Sequence, residues 1–314
     1  MGGFLPGAAA LAASLAALLI WPSAAAEGVR RGLSLAAESI IPSLFPFFVL
    51  SALAGELGVP QRLARRLSAP MGRLFGLPGT GAAALLAGVL GGYPLGAAAT
   101  SGLVERGALT PAEGARLLGF ANNSGPAFLI GAAGAGVFGS VRAGLALYAA
   151  HVLAALSAGL VMRGRGRCVM STLPDVPQPR PGAFARSVTA SVGNILNVCG
   201  FVVIFSALVS ALEAAGIFTR LAGGLSLASG LELSSSGALL TGFFELGGGI
   251  GALRGCSPTR TNFALAALII GWGGLSVHMQ TASAARGVSM RRHLAGRILS
   301  AALGAAYAAA LCPF

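Results

Sequence analysis

Residues 117–131, Leu117-Leu118-Gly119-Phe120-Ala121-Asn122-Asn123-Ser124-Gly125-Pro126-Ala127-Phe128-Leu129-Ile130-Gly131, constrain the fold more than any other stretch of the chain. They set two amides, a hydroxyl, a glycine and a proline inside an apolar run long enough to cross a bilayer. Hydrocarbon offers no partner to a freed backbone N–H or C=O. A broken helix therefore survives at that depth only when enclosed in protein or beside a water-filled cavity. Broken helices carrying polar side chains are how transporters build substrate sites near the midplane. The expected activity is movement of a small molecule across a membrane.

Composition agrees with that setting. Of 314 residues, 55% are hydrophobic and 10% charged, with a mean hydropathy of +0.81. About a quarter of a soluble domain is charged, so this chain lacks the charge to solvate a globular surface. The class is all-α polytopic membrane protein, with the lipid bilayer as its solvent. All 21 basic residues are Arg and the formal charge is +12. The arginines fall in short loops between apolar runs, as cytoplasmic loops do, so no nucleic-acid partner is expected. Cys168, Cys199, Cys256 and Cys312 have neither disulfide nor zinc spacing, and no metal is expected.

Segments of about 20 apolar residues span a bilayer. They fall near 4–24, 36–59, 80–102, 115–136, 140–161, 187–214, 235–254, 262–284 and 294–313. The first is followed by Pro22-Ser23-Ala24-Ala25-Ala26-Glu27 and resembles a signal peptide. No positive charge precedes it, so an uncleaved membrane helix is expected. The proline- and arginine-rich stretch Met162–Arg186 reads as a linker. Around it the sequence duplicates. Phe47-Phe48-Val49-Leu50-Ser51-Ala52-Leu53, Leu85-Leu86-Ala87-Gly88 and Gly119-Phe120 recur 155, 154 and 152 residues later, as Val202–Leu208, Leu239–Gly242 and Gly271-Trp272. The expected organisation is an N-terminal transmembrane helix and loop (1–35), a first repeat (36–161), a cytoplasmic linker (162–186), a second repeat (187–284), and a basic loop with a C-terminal helix (285–314).

Charge orients the repeats. The basic clusters are Arg62, Arg65, Arg66 and Arg73; Arg163, Arg165, Arg167, Arg180 and Arg186; and Arg286, Arg291, Arg292 and Arg297. Placing all three inside puts 13 of the 21 arginines in the cytoplasm. This requires one re-entrant segment in each half and makes opposite loops basic in the two halves. That is the pattern of inverted-topology repeats.

Four glycine- or proline-broken elements then become candidate hairpin tips or helix breaks: Gly91–Gly96, Asn122–Pro126, Phe244–Gly251 and Gly273–His278. Glycine permits the turn and proline removes a donor. Half-helix N-termini favour an anion. The expected substrate-binding residues are Asn122, Asn123, Ser124, Gly125, Tyr93, Asn197, Ser276 and His278, with Asn194 beside Asn197. Glu245, an ionisable residue inside an apolar segment, is the ion-coupling candidate for a proton or sodium; the alternative is a structural pair with Arg254 or Arg260. His151 reads as structural, and most glycines, Gly88 and Gly96 among them, as helix-packing positions. There is no P-loop and no His-Glu-x-x-His motif, so neither an enzyme nor a cofactor is expected.

Ile41-Pro42-Ser43-Leu44-Phe45-Pro46-Phe47, Gly92-Tyr93-Pro94-Leu95-Gly96, Asn122-Asn123-Ser124-Gly125-Pro126 and Phe244-Glu245-Leu246 together resemble the YlbJ-type sporulation integral membrane proteins. That family is similar to the gate (nucleoside recognition) domains of concentrative nucleoside transporters. The resemblance implies an inverted-repeat fold with hairpins in the bacterial cytoplasmic membrane, the outer forespore membrane in a host that sporulates. It also implies dipicolinic acid as cargo, with Arg254 the nearest candidate cation. A nucleoside transporter and a non-transporting assembly factor for sporulation are the alternatives. A homo-oligomer is compatible, since similar nucleoside transporters form trimers.

Overall fold

The computed structural model describes residues 4–164 and 181–314. Residues 165–180, the middle of the expected linker with Cys168, lie outside the described residues. Among the described residues every regular element is helical. Five helices among the described residues are long and apolar enough to cross a membrane: Pro22–Glu56, Val141–Val161, Ala183–Ala214, Arg260–Ala284 and Met290–Leu311. The chain is an all-α polytopic membrane protein.

Helix α1 (Phe4–Ile20) precedes a succession of elements that occurs twice. In the first copy, α2 (Pro22–Leu35) runs through a π-helical turn, Ala36–Ile40, into α3 (Ile41–Glu56). After it come α4 (Val59–Pro70), with a π-helical extension Met71–Phe75, and then the short pair α5 (Gly81–Gly91) and α6 (Leu95–Glu105). Helix α7 (Pro111–Ala121) breaks at Asn122 and restarts as the π-helix Ala127–Val137, and α8 (Val141–Val161) closes the copy. The second copy has the same order: long α9 (Ala183–Ala214), short α10 (Ile217–Ser229), the pair α11 (Leu233–Phe244) and α12 (Leu246–Ala252), then α13 (Arg260–Trp272) broken from α14 (Gly274–Ala284), and α15 (Met290–Leu311). Helices α5 and α6 pack on each other as the arms of a tight hairpin, as do α11 and α12. Segments 80–102 and 235–254 are therefore the hairpins, while 115–136 and 262–284 are the broken helices.

Two expectations are corrected. The loop expected before residue 36 is helix: Glu27, Arg30 and Arg31 look like loop residues, yet α2 carries them by pairing Arg30 with Glu27 at 2.8 Å and Arg31 with Ser210 Oγ at 2.8 Å. Arg297, counted with a basic loop, lies two turns inside α15, which begins at the Ser289 cap.

Local signals explain the helix starts. Thr110 and Glu113 form a capping box ahead of Pro111, and the hydroxyls of Ser140 and Thr259 accept the amides of Ala143 and Asn262. Small residues set the packing, as they do where helices meet in lipid. Gly28 of α2 lies against the Ser206 carbonyl of α9, Gly271 of α13 against Ala301 of α15, and Gly296 of α15 against the Gly119 carbonyl of α7. These contacts carry both copies into one core, in which Tyr93, Phe128, Leu147, Ile250, Phe263 and Ile270 are buried together.

Candidate functional site

The four sequence-predicted breaks meet at one place. At the first hairpin tip Gly92 has φ +85°, a conformation other residues rarely adopt, and the Tyr93–Pro94 bond is cis. Gly92 abuts Gly125 of the broken helix, and a Cβ on either would meet the other's amide nitrogen at 3.0 or 3.2 Å, a tight contact. In the second copy Glu245 is extended at the tip, and Gly273 and Gly274 are both left-handed. Gly274 packs against the Leu246 amide, and the Tyr93 ring approaches Gly273 across the two copies. Each break is followed at once by a helix N-terminus.

A cavity of about 50 Å³ lies at this junction, lined by Tyr93, Ser124, Gly125, Phe128, Glu245 and Gln280 among others. At about 10–15 Å³ of such volume per water it holds a few waters. Two larger cavities adjoin it. One of about 420 Å³ shares Phe128 and Gly247 and carries Glu38, Ser39, Ser43 and Arg254. The other, about 340 Å³, shares Glu245 and Gly247 and carries Arg31, Ser210, Glu213 and Thr241. The two wider cavities share Leu35, Gly247 and Gly251 with each other, so both adjoin the constriction beside α12.

Of the candidate residues, Tyr93, Ser124, Gly125 and Glu245 line the central cavity. Asn122 and Asn123 are buried behind it. Asn122 Oδ1 accepts the Ala97 amide at 3.2 Å, and its Nδ2 donates to Thr281 Oγ1 at 2.8 Å, so it staples the first hairpin to α14. Asn123 Nδ2 donates to the Phe120 carbonyl at 2.8 Å, and its Oδ1 accepts from Arg297 at 3.3 Å. His151 supports the break from α8, its Nε2 accepting the Ser124 amide at 3.0 Å.

Ser276 and His278 are buried on α14 and do not line the cavity: Ser276 accepts from Gln280 at 3.2 Å, and His278 pairs with His293 at 3.1 Å. Leu118 O can only accept, so His293 Nδ1, 3.3 Å away, is the donor there and His293 Nε2 accepts from His278 Nδ1. Asn197 and Asn194 are not brought to the site. The helical turn between them places both on the exposed side of α9, while Val198 and Val202 face the cavity.

Glu245 pairs with neither Arg254 nor Arg260. Its two carboxylate oxygens accept the Gly247 amide at 2.9 Å and the Gly248 amide, capping α12. Arg254 is exposed and donates to the Gly136 carbonyl at 3.0 Å. The buried cation is Arg297, wholly inaccessible, which donates to Tyr93 Oη at 2.8 Å and Ser300 Oγ at 3.0 Å as well as to Asn123. Sequence reasoning missed it and Gln280. The signal for Arg297 was its place beside Gly296, Ser300 and Gly304, a small-residue face four residues apart on α15. Gln280 lies one turn beyond Ser276, inside an apolar segment.

The elements that carry the family-like motifs are those that meet at this junction, and sequence comparison agrees. The chain is 30% identical over 303 residues to the sporulation integral membrane protein YlbJ of Bacillus subtilis (strain 168), covering 85% of this chain and 72% of that protein. The chain belongs to the YlbJ family. No protein-family model matches it, and no solved structure matches it significantly.

The Asn122 staple makes a stability prediction. Asn122→Leu leaves the Ala97 amide buried without this partner, at about 1–3 kcal/mol, and removes the bond that Thr281 Oγ1 accepts. Asn122→Asp keeps the acceptor for Ala97 but cannot donate to Thr281, whose own proton goes to the Val277 carbonyl. Both variants are expected to melt well below wild type in detergent, and an unchanged melting temperature would refute the staple.

Proposed function

We propose that the chain is a transporter or facilitator for a small polar aromatic anion, with dipicolinate during spore formation as its cargo. The observation that carries this reading is the convergence of two hairpin tips and two helix breaks on one constriction, where Tyr93, Ser124, Glu245 and Gln280 interrupt a largely apolar wall and wider cavities adjoin. A packed scaffold has no need of four interrupted elements at one point, whereas a solute path does. The reading takes 36–161 and 187–284 as gate-like repeats. With the hairpin entering and leaving on one side, each copy as folded, Pro22–Val161 and Ala183–Leu311, crosses the membrane three times, so the second runs inverted to the first. The resemblance to nucleoside-transporter gate domains implies the same pairing of hairpin and broken helix.

An anion fits the helix N-termini at Leu95, Ala127 and Gly274, whose dipoles point toward the junction. A few waters' volume does not admit a pyridine dicarboxylate, so transport requires the hairpin tips to part. Glu245 links that motion to an ion. As a carboxylate it holds both the Gly247 and Gly248 amides. Once protonated it has one good acceptor left, which loosens the second tip. A bound sodium would compete for the same oxygens. The setting is the bacterial cytoplasmic membrane, the outer forespore membrane in a sporulating host, and the role is transport rather than catalysis.

The test is uptake of labelled dipicolinate and uridine by proteoliposomes holding the purified protein, with Asn123→Ala compared at equal folded amounts. Saturable dipicolinate uptake, falling at least tenfold in the variant, is expected. Uridine uptake in its place would reject the cargo. No flux of either under imposed ion gradients would favour an assembly role.

A further inference from the structure

Arg297 is a guanidinium with 0% exposure, and it forms no ion pair with any carboxylate among the described residues. Its partners are neutral oxygens, and its Nε has none. Arginine keeps its proton at any relevant pH, and an uncompensated buried charge costs several kcal/mol. Such a feature calls for a use.

The polarity of its hydrogen bonds suggests one. Arg297 has only donors, so it occupies the acceptor side of Tyr93 Oη and of Asn123 Oδ1. One of the two Asn123 Nδ2 protons goes to Phe120 O. The Tyr93 O–H is left as a donor whose described acceptor, Ile270 O, lies at 3.5 Å, a poorly made bond. Tyr93 lines the central cavity. A donor polarised by a cation and only weakly held by the Ile270 carbonyl suits an anionic oxygen. The other ionisable group on this cavity, Glu245, has both oxygens turned to the Gly247 and Gly248 amides.

We propose that Arg297 is the positioning residue that makes the central cavity anion-selective, by fixing the Tyr93 hydroxyl as a donor and placing an uncompensated positive charge behind the cavity wall. The ligand class is a carboxylate. The inference rests on the transporter reading only for the choice of dipicolinate as probe, and binding is measured separately from flux so that the two can fail independently.

The experiment measures binding of dipicolinate and of its neutral isostere pyridine-2,6-dicarboxamide to purified protein in lipid nanodiscs, by calorimetry. Wild type is compared with Arg297→Lys, Arg297→Gln and Tyr93→Phe. Wild type is expected to prefer the dianion. Arg297→Gln should cut that preference at least tenfold by weakening dipicolinate while leaving the diamide nearly unchanged, and Tyr93→Phe should lower it too. Arg297→Lys, which keeps the charge, should restore most of it. A merely structural arginine would weaken both ligands alike, and that result would overturn the inference. So would equal affinities in wild type, or a wild type that binds no dipicolinate. Should Arg297→Gln not fold, Tyr93→Phe decides: an unchanged ratio there would likewise overturn it. Anion-selective binding without flux would keep the inference and reject the transporter reading.

Discussion

Glu245→Gln is expected to cut ion-driven uptake by about 100-fold, equivalent to about 2.7 kcal/mol, while substrate exchange at zero ion gradient falls far less. A carboxylate offers acceptors on both oxygens, and the second hairpin tip uses both, for Gly247 and Gly248. Glutamine offers one acceptor and turns an NH₂ toward the other amide. The variant is therefore fixed near the loosened condition that protonation produces in the wild type, and an ion gradient has nothing left to act on. Glu245→Asp tests geometry separately. It keeps the charge on a shorter arm, so coupling should be retained in part with slower turnover. Paired flux assays, with and without a proton or sodium gradient, give the ratio directly. Equal loss of driven uptake and exchange in Glu245→Gln would mean that the residue only holds the tip in shape.

The four breaks were legible in the sequence because their causes are local. Pro94 and Pro126 each remove a helix donor, and Gly92, Gly273 and Gly274 supply the positive φ at which a helix breaks; Glu245 stood out as a charge where charge is costly, but its capping role did not. Whether an interrupted segment folds back or continues was not legible. Residues 80–102 and 115–136 are similar in length and hydropathy, and the difference lies in what packs against them. Helix α5 turns back on α6 because Gly88 and Gly96 let both arms close over the backbone of α7, a tertiary fact. Arg297 was misread for a related reason. Its charge resembles that of Arg286, Arg291 and Arg292, and only the Ser289 cap and the spacing of Gly296, Ser300 and Gly304 place it inside the bundle. Asn197 failed in the opposite direction. An amide in an apolar span suggests a cavity, yet helical phase puts Val198 and Val202 inward.

The second large effect falls on the hairpin hinge. A Cβ added at Gly88 or at Gly96 would overlap the carbonyl oxygen of Ala121 in α7, and at Gly88 it would also crowd Gly96 Cα. The obstacle is backbone, and that backbone is the last turn before the Asn122 break, so it cannot yield without moving the site. Gly88→Val and Gly96→Val should each cost about 3 kcal/mol or more, at the upper end for overpacking, and leave little folded protein at equal expression. Gly200 on α9 supplies the control. It is exposed with nothing within 4 Å of an added Cβ, so Gly200→Ala should raise stability by up to about 1 kcal/mol through helix propensity alone. Thermal melting of the three variants in one detergent separates the cases by sign. If Gly88→Val and Gly96→Val melted near the wild-type temperature, the arms of the hairpin would have room to separate from α7, and the close packing on which the central constriction depends would be wrong.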